Sequence, residues 1–148
     1  MEMMLITKGL KLDIIQQQIK EYQIEDKVEL VNWSDQEKVE SSYRNGSIMV
    51  LPSRDNFSKL VSESFSFGLP VICYENNHIE DIVDQTCGML VPEDNLGESI
   101  LEFSNLLRIL YFDPEAQKIL KRGAKNKYTK ALSWGNENRQ TSKKLAAH

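Results

Sequence analysis

Sulfur and imidazole are scarce in this chain. Cys73 and Cys87 are its two cysteines, in segments that read as buried, and His78 and His148 are its two histidines. No His or Cys sits at metal-ligand spacing beside another, so neither a zinc site nor a Cys-His nucleophile pair is expected. The cysteines read as small core residues, and no metal cofactor is expected. Excess positive charge is lacking too: 18 Lys and Arg stand against 22 Asp and Glu, a net charge of −4, which leaves no electrostatic footprint for nucleic acid. No apolar run approaches the ~20 residues that span a bilayer, and the first residues lack the charged start and apolar stretch of a secretory signal. The sequence therefore predicts a cytoplasmic protein, with any membrane association carried by the parent protein. Internal repeats, low-complexity blocks and linkers are absent, and 148 residues with 41% hydrophobic content fit one domain with a real core.

What is present is a regular alternation. Met4-Leu5-Ile6 reads as a strand, Ile14 to Tyr22 as a helix with apolar residues at helical spacing, and Val28-Glu29-Leu30-Val31 as a second strand. The rhythm continues with a helix over Gln36–Tyr43, a strand over Ile48–Leu51, a helix over Lys59–Phe67 and a strand over Val71–Tyr74. A short helix over Ile79–Val83 precedes a fifth strand, Gly88–Val91. Asp94 or Asn95 then caps a helix running to about Leu110, and Asp113-Pro114 opens another, with Asp as cap and Pro at the first helical position. Ser133 to Leu145 is amphipathic but weak in apolar content. Strands separated by single helices imply parallel pairing with helices on both faces, an α/β Rossmann-like sheet of three layers.

The segment Val50 to Ile72 reads strand, loop, helix, turn, strand. In an open parallel sheet, ligands bind beyond the carboxyl ends of the strands, and the loop after Leu51 lies at such an end. Were Asp55 and Glu63 both within one helix, eight residues at 1.5 Å each would hold them ~12 Å apart along its axis. Pro52 and the polar run after it argue instead that Asp55 lies in the loop and folds back over the helix start. The first N–H groups of that helix, near Phe57 to Leu60, lack intrahelical partners and carry the positive end of the dipole, which suits a diphosphate. Carboxylates accept from sugar and ribose hydroxyls. A sugar nucleotide offers both groups. The plainer alternative makes Asp55 a helix cap and Glu63 a solvated helix residue.

Leu51-Pro52-Ser53, Asp55, Phe57, Glu63 and Gly68-Leu69-Pro70-Val71-Ile72 resemble the signature of the retaining GT-B glycosyltransferases of the group 1, or family 4, type. That signature has a strand ending in Pro-Ser, an acid, a Gly-Phe-Gly-like turn, a second acid eight residues on and Gly-x-Pro-Val-Ile. Ile6-Thr7-Lys8-Gly9, Val28 to Trp33, Gln36 to Ser47, Asp81-Ile82-Val83, Gly88 to Pro92 and Ser133-Trp134 extend the similarity over nearly the whole chain.

The resemblance implies a donor-binding domain spanning residues 1–148, a fragment that starts after the family's first C-terminal βα unit and lacks the N-terminal acceptor domain. It implies transfer of a sugar from a nucleotide-diphosphate sugar with retention of configuration, and no turnover by the fragment alone. Asp55 would contact the donor sugar and Glu63 the ribose, these two being the catalytic pair. The segment Asn56, Phe57, Ser58, Lys59 and Leu60 would hold the diphosphate, and Asn32 and Trp33 would lie near the base. The implied partners are the nucleotide sugar and an acceptor sugar, glycan or lipid-linked glycan, with dimerisation through the exposed sheet edge. Arg54 and Lys59 are candidate replacements for the cations of the missing unit, or plain surface charges. Asp55 stands where Glu is usual, Asn56 and Ser58 where Gly is usual, and Asn77-His78 where Gly-Gly is usual. A non-catalytic nucleotide- or phosphate-binding module of the same fold is the alternative.

Overall fold

The computed structural model describes residues 2–7, 11–76 and 78–146, with side chains described as far as residue 131. Two compact units divide the chain, residues 1–46 and 47–148. Lys8 and Gly9, Asn77, the side chains of the 133–145 stretch with Ser133 and Trp134, and His148 lie outside the described residues.

In the first unit, β1 (Met3–Thr7) and β2 (Val28–Asn32) pair in parallel, Met3 opposite Val28 and Thr7 opposite Asn32. α1 (Leu12–Glu21) supplies the crossover that parallel pairing requires. The helix ends without glycine. Gln23 takes the left-handed conformation at φ 54°, its N–H donates to Lys20 O at 3.1 Å, and the Ile24 N–H donates to Ile19 O at 3.1 Å. These two bonds satisfy terminal carbonyls in a Schellman closure, at a cost on the order of 1 kcal/mol for a side chain at that φ. α2 (Gln36–Asn45) starts at Asp35, whose carboxylate accepts the Lys38 N–H at 3.2 Å, satisfying one first-turn donor. It packs against β2 and contains the buried Tyr43.

In the second unit, β3 (Met49–Leu51), β4 (Val71–Tyr74) and β5 (Gly88–Val91) form a parallel sheet in that order, with Leu51 opposite Cys73 and Cys73 opposite Leu90. All four residues of β4 are buried, as the central strand of a parallel sheet covered on both faces must be. Alternation sorts them. Val71 and Cys73 pack with Val61 and Phe65 of α3 (Ser58–Ser66) and with Ile79, Val83 and Cys87. Ile72 and Tyr74 pack with Phe103 and Leu110 of α4 (Leu96–Phe112). Burial of Val71 and Ile72 stabilises by roughly 1.5–3 kcal/mol each. Helices thus cover both faces of this sheet, the α/β arrangement that the alternation predicts.

Caps follow the sequence signals. Asn95 Oδ1 accepts the Glu98 N–H at 3.0 Å to start α4, and Asp113 Oδ1 accepts the Ala116 N–H at 3.0 Å to start α5 (Pro114–Ala146). α5 contributes Ala124 to the first cluster and Leu120 to the second. Its Gly123 comes so close to the turn before β5 that a Cβ there would stand 1.7 Å from Thr86 O.

One expectation changes. Ile79–Val83 forms a single turn, not a helix: the Glu80 N–H reaches Asn76 O at 3.1 Å and the Val83 N–H reaches Ile79 O at 2.8 Å. Asn76 Oδ1 takes the His78 and Ile79 N–H groups at 3.0 and 3.1 Å, and Asp84 already begins the next turn by accepting the Thr86 N–H at 2.8 Å. So short a segment cannot offset the cost of helix nucleation. α5 runs unbroken to Ala146, so the stretch from Ser133 continues this helix.

Candidate functional site

β3 delivers the chain at Leu51 to the carboxyl edge of its sheet, where Pro52 precludes a further ladder donor. Residues 52–57 form a loop, and α3 begins at Ser58. Asp55 is therefore a loop residue, and it is exposed. Its Oδ2 accepts the Ser53 hydroxyl at 2.9 Å, and its N–H approaches Ser53 Oγ at 3.4 Å. Asp55 does not cap α3, because no side chain bonds from the N-cap position, Phe57. One oxygen of its carboxylate is held by Ser53, and acceptor capacity remains for a ligand hydroxyl.

Asn56 does the local capping. Its Oδ1 accepts both the Ser58 N–H at 3.1 Å and the Ser58 hydroxyl at 2.6 Å. The Val61 N–H bonds to Phe57 O at 2.8 Å, the first turn of α3. The intervening N–H groups of Lys59 and Leu60 have no acceptor among the described residues. They are the donors that a helix start leaves open, at the positive end of the dipole. Phe57 and Leu60 are half-buried against the core, while the Lys59 side chain is exposed and has no carboxylate partner among the described residues. Glu63 is exposed on the same helix, five residues past Ser58 and hence ~7.5 Å along the axis. Opposite it, Val61, Ser64 and Phe65 are buried. The buried Ser64 hydroxyl donates to Leu69 O at 2.7 Å, and Gly68, at φ 66°, lets the chain reverse into β4.

The loop and α3 thus bring Asp55, Asn56, Phe57, Ser58, Lys59, Leu60 and Glu63 together on one exposed β3–α3 unit. Asn32 and Trp33 belong to the first unit of the chain. Asn32 Oδ1 is occupied by the Ser34 N–H at 3.0 Å and the Ser34 hydroxyl at 2.8 Å. Trp33 is 45% exposed, so it is not a core tryptophan, and part of its indole is accessible for contact. Arg54 does not turn to the helix start. Its Nη2 donates to Asp94 O at 2.9 Å, and its Cζ lies 5.7 Å from the centroid of the Tyr74 ring. Sequence reasoning did not foresee that link, since Arg54 and Asp94 are 40 residues apart and no local pattern connects them.

Cys73 and Cys87 are buried free thiols. Burial, and then the neighbouring Cys87, pushes the Cys73 thiol up to about 11, and burial raises Cys87 as well; both shifts disfavour the thiolate that nucleophilic chemistry needs. Among the described residues, no group of three or more His, Cys, Asp and Glu is placed to hold a metal ion, and no helix is long and apolar enough to cross a membrane.

The fold of the chain is shared with solved glycosyltransferase structures. Sucrose-phosphate synthase from Thermosynechococcus elongatus aligns with a TM-score of 0.70 at 22% identity, over 98% of this chain and 39% of that one. The C-terminal domain of a glycosyl transferase group 1 family protein from Francisella tularensis aligns at 0.67 and 22% identity, over 82% of this chain and 64% of that one. Anabaena HepE, in complex with UDP, aligns at 0.71 and 14% identity, over 98% and 40%. The chain therefore spans less than two thirds of each of these structures. No curated protein matches the chain. These likenesses give the Rossmann-like α/β fold of one half of a GT-B enzyme. The family described as glycosyl transferases group 1 matches residues 1–108, and the chain belongs to that family.

Proposed function

We propose that residues 1–148 serve as one donor-binding domain of a glycosyltransferase that moves a sugar from a nucleotide-diphosphate sugar to an acceptor with retention of configuration. One observation carries this reading. The Lys59 and Leu60 amides lie open at the start of α3, between the loop carboxylate Asp55 and the exposed Glu63 on the same helix. Amides suit the diphosphate, and the two carboxylates suit hydroxyls of sugar and ribose. Catalysis at such a site is electrostatic: fixed dipoles stabilise the departing nucleoside diphosphate as its charge develops, without a metal. The UDP bound to Anabaena HepE supports a uridine or related nucleotide as the ligand class. The acceptor, a sugar, glycan or lipid-linked glycan, is bound by a separate acceptor domain.

Titration with UDP- and GDP-sugars tests the reading. Saturable binding by the chain, reduced by Glu63→Ala, is the expected result. No saturable binding, together with a parent enzyme indifferent to Glu63→Ala, would sink it.

One observation favours a second reading, a nucleotide- or phosphate-binding module that transfers nothing. The Ser58 amide at the helix start is already taken by Asn56, which leaves one fewer donor for phosphate. A full-length protein that binds nucleotide yet transfers no sugar to any acceptor would favour this second reading.

A further inference from the structure

The loop between β3 and α3 is anchored at its ends by Leu51 and Phe57 in the core. Between them its side-chain bonds are local. Ser53 and Asp55 bond to each other, and Asn56 bonds to Ser58, each across two residues. Bonds this short shape a turn but do not fix where it stands relative to the rest of the sheet edge. Among the described residues, the one side-chain hydrogen bond that leaves this segment for another loop is Arg54 Nη2 to Asp94 O, at 2.9 Å.

Three strand ends meet at that guanidinium. Arg54 follows β3, Tyr74 is the last residue of β4, and Asp94 follows β5. The Tyr74 ring is itself fixed, 5% exposed and edge-on to Phe103 with centroids 5.2 Å apart. An ordinary surface arginine samples many rotamers, but this one has a charge-assisted bond to a carbonyl and an aromatic face beneath its charge. The planar guanidinium serves both contacts at once, which a lysine ammonium does less well.

We propose that Arg54 is a positioning residue of the donor site. It holds the loop so that Asp55, the next residue in the chain, and the open amides of α3 stand ready in one arrangement before a nucleotide arrives. This role rests on the donor-site reading above. It also assigns Arg54 a use other than direct neutralisation of the diphosphate, since its donors are turned to Asp94 and Tyr74.

The test is calorimetric titration of the 148-residue chain with UDP and with GDP, well below its melting temperature, at several ionic strengths. Arg54→Gln removes the charge from an exposed side chain and leaves the core intact. It is expected to weaken nucleotide binding by about tenfold, with a decline in affinity against salt parallel to that of the unsubstituted chain. Arg54→Lys is expected to recover part of the loss. Equal affinity for Arg54→Gln and the unsubstituted chain overturns the role while leaving the donor site standing, even if the melting temperature falls. A weaker variant whose salt dependence is also flattened overturns it as well, because Arg54 then contacts the diphosphate directly. If the unsubstituted chain binds neither nucleotide, the donor-site reading falls, and the positioning role falls with it.

Discussion

Lys127 Nζ stands 2.7 Å from Asp84 Oδ2, joining α5 to the turn that precedes β5. The other carboxylate oxygen accepts the Thr86 N–H at 2.8 Å and the Thr86 hydroxyl. The Lys127 hydrogen bond and then the Thr86 hydroxyl hold the Asp84 carboxyl well below the usual carboxylate range. A depressed folded-state pKa means that the ion pair contributes fully above the unfolded value of about 4, and that this contribution is lost as pH falls through the folded value. Both side chains are partly exposed, 33% and 45%, so water limits the contribution to about 1 kcal/mol or less. Asp84→Asn is expected to lower the melting temperature at neutral pH by about 2–4 °C. The gap to the unsubstituted chain should narrow below about pH 4. A gap that stays constant on acidification would assign the loss to packing instead.

Gly123→Ala and Gly97→Ala should act in opposite directions although both glycines lie in helices. A methyl group at 123 meets backbone, Thr86 O at 1.7 Å, whereas one at 97 meets only Asn95 Oδ1 at 3.5 Å. The first substitution is expected to destabilise by about 1–3 kcal/mol. The second should stabilise by up to about 1 kcal/mol through helix propensity. Urea denaturation of the two variants reads both signs.

Glu63 is exposed and opposite the buried face of α3, so its folding and binding roles separate. Glu63→Ala should change unfolding free energy by no more than about 0.5 kcal/mol. On the donor reading it should weaken nucleotide-sugar binding by about tenfold, the loss of one or two hydrogen bonds to a charged acceptor. An affinity unchanged by this variant would remove Glu63 from the site.

Asn56→Gly releases the Ser58 amide that Asn56 Oδ1 now occupies at 3.1 Å. The expected result is a several-fold tighter binding of UDP or GDP, as one more helix-start donor becomes available to phosphate. Weaker binding would show that the Asn56 turn helps to shape the site and does not merely compete with the ligand.

Much of this fold is legible in the sequence because the information is local. The helical spacing of Ile15, Ile19 and Tyr22, the Asp113-Pro114 pair and the continuous apolar run of β4 each identify an element from its own residues. Asp55 in a loop and Glu63 on the following helix were equally readable, because Pro52 and the polar residues after it end the strand. The failures are those of length and distance. Ile79–Val83 carries helix-like spacing but is too short to nucleate. Arg54 looked like a free surface cation because its partners, Tyr74 and Asp94, are brought to it only by the pairing of three strands.

The close approach of Gly123 to the Thr86 carbonyl makes the second unit depend on a helix that comes late in its sequence. The sheet of the second unit, with α3 and the turn before β5, is complete in sequence by Val91, yet Leu120 and Ala124 of α5 belong to its two apolar clusters. Leu120 and Ala124 lie 29 and 33 residues after Val91, so neither cluster is complete in sequence until the first turns of α5 have been added. A chain that ends before Pro114 is therefore expected to leave the apolar faces of α3 and α4 without the cover that α5 provides.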